Sequence, residues 1–245
     1  MKQLLLLSCS AGVLSGCAVT LAPHTPYIPV IRDKGQTELA VATGVNGSEL
    51  KGGYQLTDKL LVHAALLDFG QSRRTNKFRS ADLGLGYYYN SPNGFWRLGM
   101  HGGAAYGGGT SNGSEEFENL SPTPGSHYKV RYTYGYLQPT IIHLQGNQVW
   151  GVGLRVARAY YHRFAQLRAD TLGGPLATVN YQGRQAAFVQ LAFQYSYQVM
   201  PWLSASTSFG VQGFLNKPQA IGDMNPFIGQ VGLHFTINKR SITQP

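Results

Sequence analysis

Residues 186–199 read Ala186-Ala187-Phe188-Val189-Gln190-Leu191-Ala192-Phe193-Gln194-Tyr195-Ser196-Tyr197-Gln198-Val199. Ala187, Val189, Leu191, Phe193, Tyr195, Tyr197 and Val199 share one parity, and Gln190, Gln194, Ser196 and Gln198 the other. Successive side chains of a strand point to opposite faces, so this two-residue period predicts a β-strand between two different environments. The pattern returns near the end of the chain, where Phe227, Val231, Leu233, Phe235 and Ile237 oppose Gln230, His234 and Thr236. Working outward from these two stretches, alternation recurs in ten blocks: 36–45, 48–57, 60–69, 79–89, 95–106, 128–138, 148–160, 186–199, 203–215 and 226–238. Turn residues separate them. No helix-period segment of comparable length interrupts the series, which predicts an all-β chain.

Composition agrees. The 245 residues include 31 glycines and 12 prolines, too many for a helical bundle, and only 13% are charged, about half the share in a soluble domain. No run of about 18 apolar residues occurs, which excludes a membrane-spanning helix. The net charge is +9, but the basic residues scatter except for Arg73, Arg74, Lys77 and Arg79. They follow no RNA- or DNA-binding motif, so nucleic acid is not an expected partner.

The connections alternate in length. Those at 57–59, 90–94, 145–147 and 200–201 are short; those at 70–78, 107–127, 161–185 and 216–225 are longer, and Asn46-Gly47 is tight. An up-and-down antiparallel transmembrane barrel has this pattern, with short periplasmic turns and longer external loops. Aromatic residues add a dimension. Trp96 and Tyr106 stand ten residues apart on one parity, as do Trp150 and Tyr160. Ten tilted strand residues rise roughly 25 Å, the height of the apolar band of such a barrel. Trp202 falls on the opposite parity, and Arg158 is expected to snorkel beside Tyr160.

The first residues read as an export signal, Met1-Lys2-Gln3 before Leu4–Leu7 and then small residues. Leu14-Ser15-Gly16-Cys17 resembles the lipobox of bacterial lipoproteins, which implies cleavage before Cys17 and a diacylglycerol on its thiol, with no other cofactor. Ala18 stands where that family carries an inner-membrane retention aspartate, so the resemblance implies the outer membrane. With Cys9 in the removed segment, Cys17 is left alone and no disulfide is expected. Residues 17–34, with Pro23, Pro26 and Pro29, are expected to be a tether to the first strand. Residues 35–238 form the expected barrel and 239–245 a tail, with both ends of the mature chain in the periplasm. Architecture and lipobox together resemble the small outer-membrane β-barrel proteins of Gram-negative bacteria, in a lipoprotein version. The C-terminal phenylalanine usual there is absent, the chain ending Gln244-Pro245.

The parity opposite the apolar face lines the expected lumen. It carries Glu38, Glu49, Lys51, Asp82, Arg97, Lys129, Arg131 and Arg155, an ion-pair network, together with His63, His101 and His234. Five cations against three acids would make any open path anion-preferring. None of the seven histidines stands two or four residues from another, so no metal site is expected. Ser126-His127-Tyr128-Lys129 has the spacing of a penicillin-binding serine and lysine but lacks the helix and companion motifs. Tyr106-Gly107-Gly108-Gly109-Thr110 lacks the lysine of a phosphate loop and reads as a flexible external loop. Arg73, Arg74, Lys77 and Arg79 form a basic loop surface suited to lipopolysaccharide phosphates or to the acidic loop with Glu115, Glu116 and Glu118. The expected protein is a non-enzymatic, monomeric, nearly closed barrel, serving as scaffold or binding module for outer-membrane lipid or a protein partner. The alternatives are a narrow anion-preferring channel and a periplasmic lipoprotein with a soluble barrel.

Overall fold

The computed structural model describes residues 19–71, 76–112, 127–169, 176–180, 183–218, 221 and 224–237. Eleven strands follow one another: β1 (Thr37–Gly44), β2 (Gly47–Gln55), β3 (Leu60–Gln71), β4 (Asn76–Asn90), β5 (Trp96–Asn112), β6 (His127–Gln145), β7 (Gln148–Ala169), β8 (Leu176–Asn180), β9 (Gln185–Met200), β10 (Leu203–Asn216) and β11 (Phe227–Ile237). Each of β1 to β7 pairs antiparallel with the next, β9 pairs with β7 and β10, and β11 closes the sheet on β1 with Thr37 opposite Ile237. Strand β8 pairs with Ala165–Ala169, above the point where β9 leaves β7 at Tyr160, and so continues the lane of β9. The result is a closed ten-lane up-and-down barrel, as the alternation predicts. Pairing β11 with β1 removes the two free edges that an open sheet would present, while among the described residues β8 is paired on its β7 side alone.

The outer face carries the apolar parity. Leu39, Val41, Leu83, Leu85, Leu98, Met100, Leu137, Ile141, Val152, Leu154, Leu191, Phe209, Val211, Val231 and Leu233 are all exposed. Exposed apolar surface on this scale, continuous around a closed wall, is a lipid-contact band. Trp96 and Trp150 lie outward near the short turns, against His143 and Tyr195 with ring centroids 4.5 and 4.4 Å apart. Trp202 joins them: it sits in the β9–β10 turn and stacks outward on Phe235, a placement that strand parity does not govern. Tyr106 and Tyr160 are exposed on the same face toward the other end.

The wall is uneven. Strand β1 has 8 residues and β2 has 9, whereas β6 has 19 and β7 has 22. The regions expected as loops after Tyr106 and Tyr160 therefore begin as strand. Gly107–Thr110 is not a flexible loop but part of β5, with Gly108 opposite Arg131 and Gly109 opposite Phe78. A Cβ on Gly109 would stand 2.0 Å from the Lys77 carbonyl oxygen, so the wall closes here only around glycine.

Extracted in mild detergent without boiling, the chain should run on a denaturing gel as a compact species that shifts on heating. Gly109→Val should cut the compact fraction severalfold. A single band whose position ignores heating would contradict the membrane barrel.

Candidate functional site in the barrel lumen

Residues Thr20–Ile31 are buried without exception, although they belong to no strand. They thread the lumen from one end to the other. At the short-turn end, the Arg32 guanidinium donates to the Gly146 carbonyl at 3.2 Å, and Arg97 donates to the carbonyls of Ile31 and Arg32 at 2.9 and 2.7 Å. Midway, Tyr27 stacks on His63 with centroids 4.7 Å apart, and its hydroxyl donates to Glu38 at 3.1 Å. Toward the long-loop end, Leu21 and Ala22 enter a cluster with Tyr132, Tyr161, Phe164 and Phe188, capped by Ile221 and Met224 from the β10–β11 connection. Val19 packs on that cluster. Residues 17–34 are expected to tether the anchor to the first strand; of that stretch, residues 19–31 run inside the barrel. The described chain thus begins at the end of the barrel opposite Ile237.

A segment inside a barrel has no ladder and no bulk water, so its amides and carbonyls need side-chain partners. The lumen supplies them one by one. Glu49 accepts from the Thr25 amide at 2.8 Å and Glu38 from the Val30 amide at 3.1 Å. The Tyr134 hydroxyl accepts from the His24 amide at 3.2 Å, and the Tyr132 hydroxyl donates to the Ala22 carbonyl at 3.1 Å. Gln138 donates to the Tyr27 carbonyl at 2.8 Å and Gln194 to the Ile28 carbonyl at 2.9 Å. Arg155 and Gln190 both donate to the His24 carbonyl, each at 3.1 Å. Pro23, Pro26 and Pro29 lack an N–H, which removes three donors from this demand. Room comes from inward glycines: a Cβ on Gly53 would lie 2.1 Å from the Tyr27 hydroxyl, and one on Gly151 2.4 Å from Ile28 Cγ2.

Six of the residues expected in the lumen are buried there: Glu38, Glu49, Lys51, Asp82, Arg97 and Arg155. Lys51 pairs with Glu49 at 2.6 Å, and Arg155 lies 3.7 Å from Asp82 and 4.0 Å over the Tyr136 ring. Lys129 and Arg131 are not in the lumen. Both are exposed on the outer face, because the inward parity of β6 is Val130, Tyr132, Tyr134, Tyr136 and Gln138. A rule of polar side chains inside misassigns this strand, since tyrosine brings both a bulky ring and a hydroxyl to the segment. Cys17, Arg73 and Arg74 lie outside the described residues.

Lys77 and Arg79 stand on the outer face of β4 rather than in a loop, with Arg79 3.6 Å from exposed Asp68. The register sets Arg79, Gly108, Arg131 and Arg163 at one level, and Lys77, Thr110 and Lys129 at the next. Exposed cations from β4, β6 and β7 thus form a band above Tyr106 and Tyr160. Sequence reading missed Arg163, because nothing but register brings it beside Arg131 and into line with Arg79.

His234 carries a further arrangement. Its Nδ1 is 2.5 Å from Glu38 Oε1 and its Nε2 is 2.8 Å from Ser206 Oγ. Carboxylate, imidazole and hydroxyl in line is the order that activates a serine. Acyl transfer also needs free amide donors for the oxyanion, and here β10 is paired along both edges. Among the described residues, no three His, Cys, Asp or Glu side chains are grouped to hold a metal ion.

No protein-family model matches the chain, and no curated protein sequence is detectably similar to it. Among solved structures, the outer membrane protease OmpT from Escherichia coli superposes with a TM-score of 0.56 at 14% identity, over 89% of this chain and 100% of that one. The translocator domain of the autotransporter NalP from Neisseria meningitidis gives 0.43 at 13% identity, over 96% and 94%. The N-terminal β-barrel domain of Pseudomonas aeruginosa OprF gives 0.32 at 10%, over 83% and 98%. The fold is that of the outer-membrane β-barrels. The likeness to OmpT is one of fold alone.

Arg155→Ala should destabilise the barrel by about 3–5 kcal/mol, because it strands the buried Asp82 carboxylate without its countercharge. Urea unfolding in micelles, followed by tryptophan fluorescence, measures this. Adding Asp82→Asn should recover part of the loss.

Proposed function

We propose that this protein is an outer-membrane lipoprotein whose barrel is closed by its own N-terminal segment and which acts from its surface, as a scaffold or binding module, without catalysis. The observation that carries this reading is the buried passage of Thr20–Ile31 through the whole lumen. The channel alternative drew on five inward cations. With Lys129 and Arg131 outside, Lys51, Arg97 and Arg155 face Glu38, Glu49 and Asp82, three against three, and the case for anion preference goes with them. Serine chemistry at Ser206 is disfavoured, since β10 is paired along both edges and leaves no free amide beside Ser206 to hold an oxyanion.

The partner that best suits the outer wall is a phosphorylated lipid such as lipopolysaccharide. Arg79, Arg131 and Arg163 present planar forks at one level, just above the tyrosines that mark the edge of the apolar band. Strands β4 and β6 stand two strand spacings apart, about 9.6 Å, so their long side chains can close on one phosphate from both sides.

Single-channel recording of the full chain in planar bilayers tests the closed barrel: no large, stable conductance is expected, and its appearance would overturn the reading. For the wall, the triple variant Arg79→Ser, Arg131→Ser, Arg163→Ser should retain severalfold less lipopolysaccharide through purification. The retention by the unaltered chain should fall with rising salt.

A further inference from the structure

We infer that the acyl anchor of this protein lies at the long-loop face of its barrel, in the outer leaflet of the membrane, and not at the end where the first strand begins. The inference rests on the lipoprotein reading of Cys17 and adds where that lipid must go. Three observations carry it.

The first is direction. The segment leaves β1 at the short turns, where Arg32 holds Gly146 and is itself held by Arg97, and climbs without reversal. Tyr27 meets His63, His24 meets Ser80 at 2.9 Å, Ala22 meets Tyr132, and Val19 reaches the cluster that includes Ile221 and Met224. Those last two belong to the β10–β11 connection at the long-loop end. Short turns face the periplasm in barrels of this class, so Val19 faces outward.

The second is covalent reach. Cys17 precedes Val19 by two residues, and consecutive Cα atoms are about 3.8 Å apart, so its Cα stays within about 7.6 Å of that of Val19. No path of that length returns to the short-turn end.

The third is space. Two acyl chains gain about 0.8 kcal/mol per methylene by entering a bilayer, and the lumen beneath Val19 is already filled by Thr20–Ile31 and its partners. The chains therefore pass over the rim. Where β1, β2 and β11 are short, the rim is low and bears exposed Val45, Leu215 and Phe227, an apolar way down to the band. Lipid at one end and β1 at the other then lock the segment in place, so that it cannot withdraw in either direction.

The test uses the full chain in intact cells fed a radiolabelled fatty acid. A site for an added protease is inserted between Ala18 and Val19, with a second variant carrying the site at Gly146. External protease should strip the label from the first variant while its barrel keeps heat-shifted migration, and should cut the second only after the membrane is permeabilised. A first site that stays uncut in intact cells but is cut after permeabilisation overturns the inference. So does cleavage at Gly146 in intact cells. A chain that takes up no label at all overturns the lipoprotein reading instead. As a check free of insertions, Val19→Cys should react on intact cells with a membrane-impermeant maleimide while Lys59→Cys does not; the reverse pattern overturns the inference.

Discussion

The structure depends on one requirement: the backbone of a strandless segment, enclosed in a barrel, has to be hydrogen-bonded by side chains. An unpaired buried amide or carbonyl costs about 1–3 kcal/mol, and a dozen of them would exceed the stability of most domains. The lumen meets this with groups of opposite kind. Glu38 and Glu49 accept from amides; Arg97, Arg155, Gln138, Gln190 and Gln194 donate to carbonyls; and the tyrosine hydroxyls do either. The charges that line the interior are thus hydrogen-bonded to the chain's own N-terminal segment.

Those charges are tolerable only as a set. Glu49 is held by Lys51, by the Thr25 amide and by Gln230 at 3.0 Å. Arg155 is shared among Asp82, Gln138, the His24 carbonyl and the face of Tyr136. Removing one member exposes the desolvation cost of the others, which is why such networks are destabilised far more by a single loss than by a matched replacement. The Glu38–His234–Ser206 chain belongs to the same set of buried groups, and β10, which carries Ser206, is paired along both edges.

Outside, the two faces of the wall divide the work. The apolar band meets lipid, and the tall side from β4 to β7 raises a row of cations just above it. The low side at β1, β2 and β11 raises none of that height. A barrel so shaped carries a charged flank and an apolar notch at the same end of its wall.

Much of this was legible in the sequence. Strand alternation, the alternation of short and long connections and the ten-residue aromatic spacing follow from the two-residue period of a strand and the thickness of a bilayer, both local or one-dimensional constraints. They determined the all-β class, the ten-strand barrel and the inward placement of Glu38, Glu49, Lys51, Asp82, Arg97 and Arg155. Parity failed on β6, where Tyr132, Tyr134 and Tyr136 point inward and push Lys129 and Arg131 out, because the interior of this barrel is not water but a peptide that wants rings and hydroxyls. Proline at 23, 26 and 29 says that residues 19–34 are extended, and nothing in a linear pattern says on which side of a wall an extended chain runs. Only the closed tertiary structure decides that, since the partners of the Ala22, His24, Thr25 and Val30 amides come from strands scattered along the sequence, and it is closure that brings them around the segment.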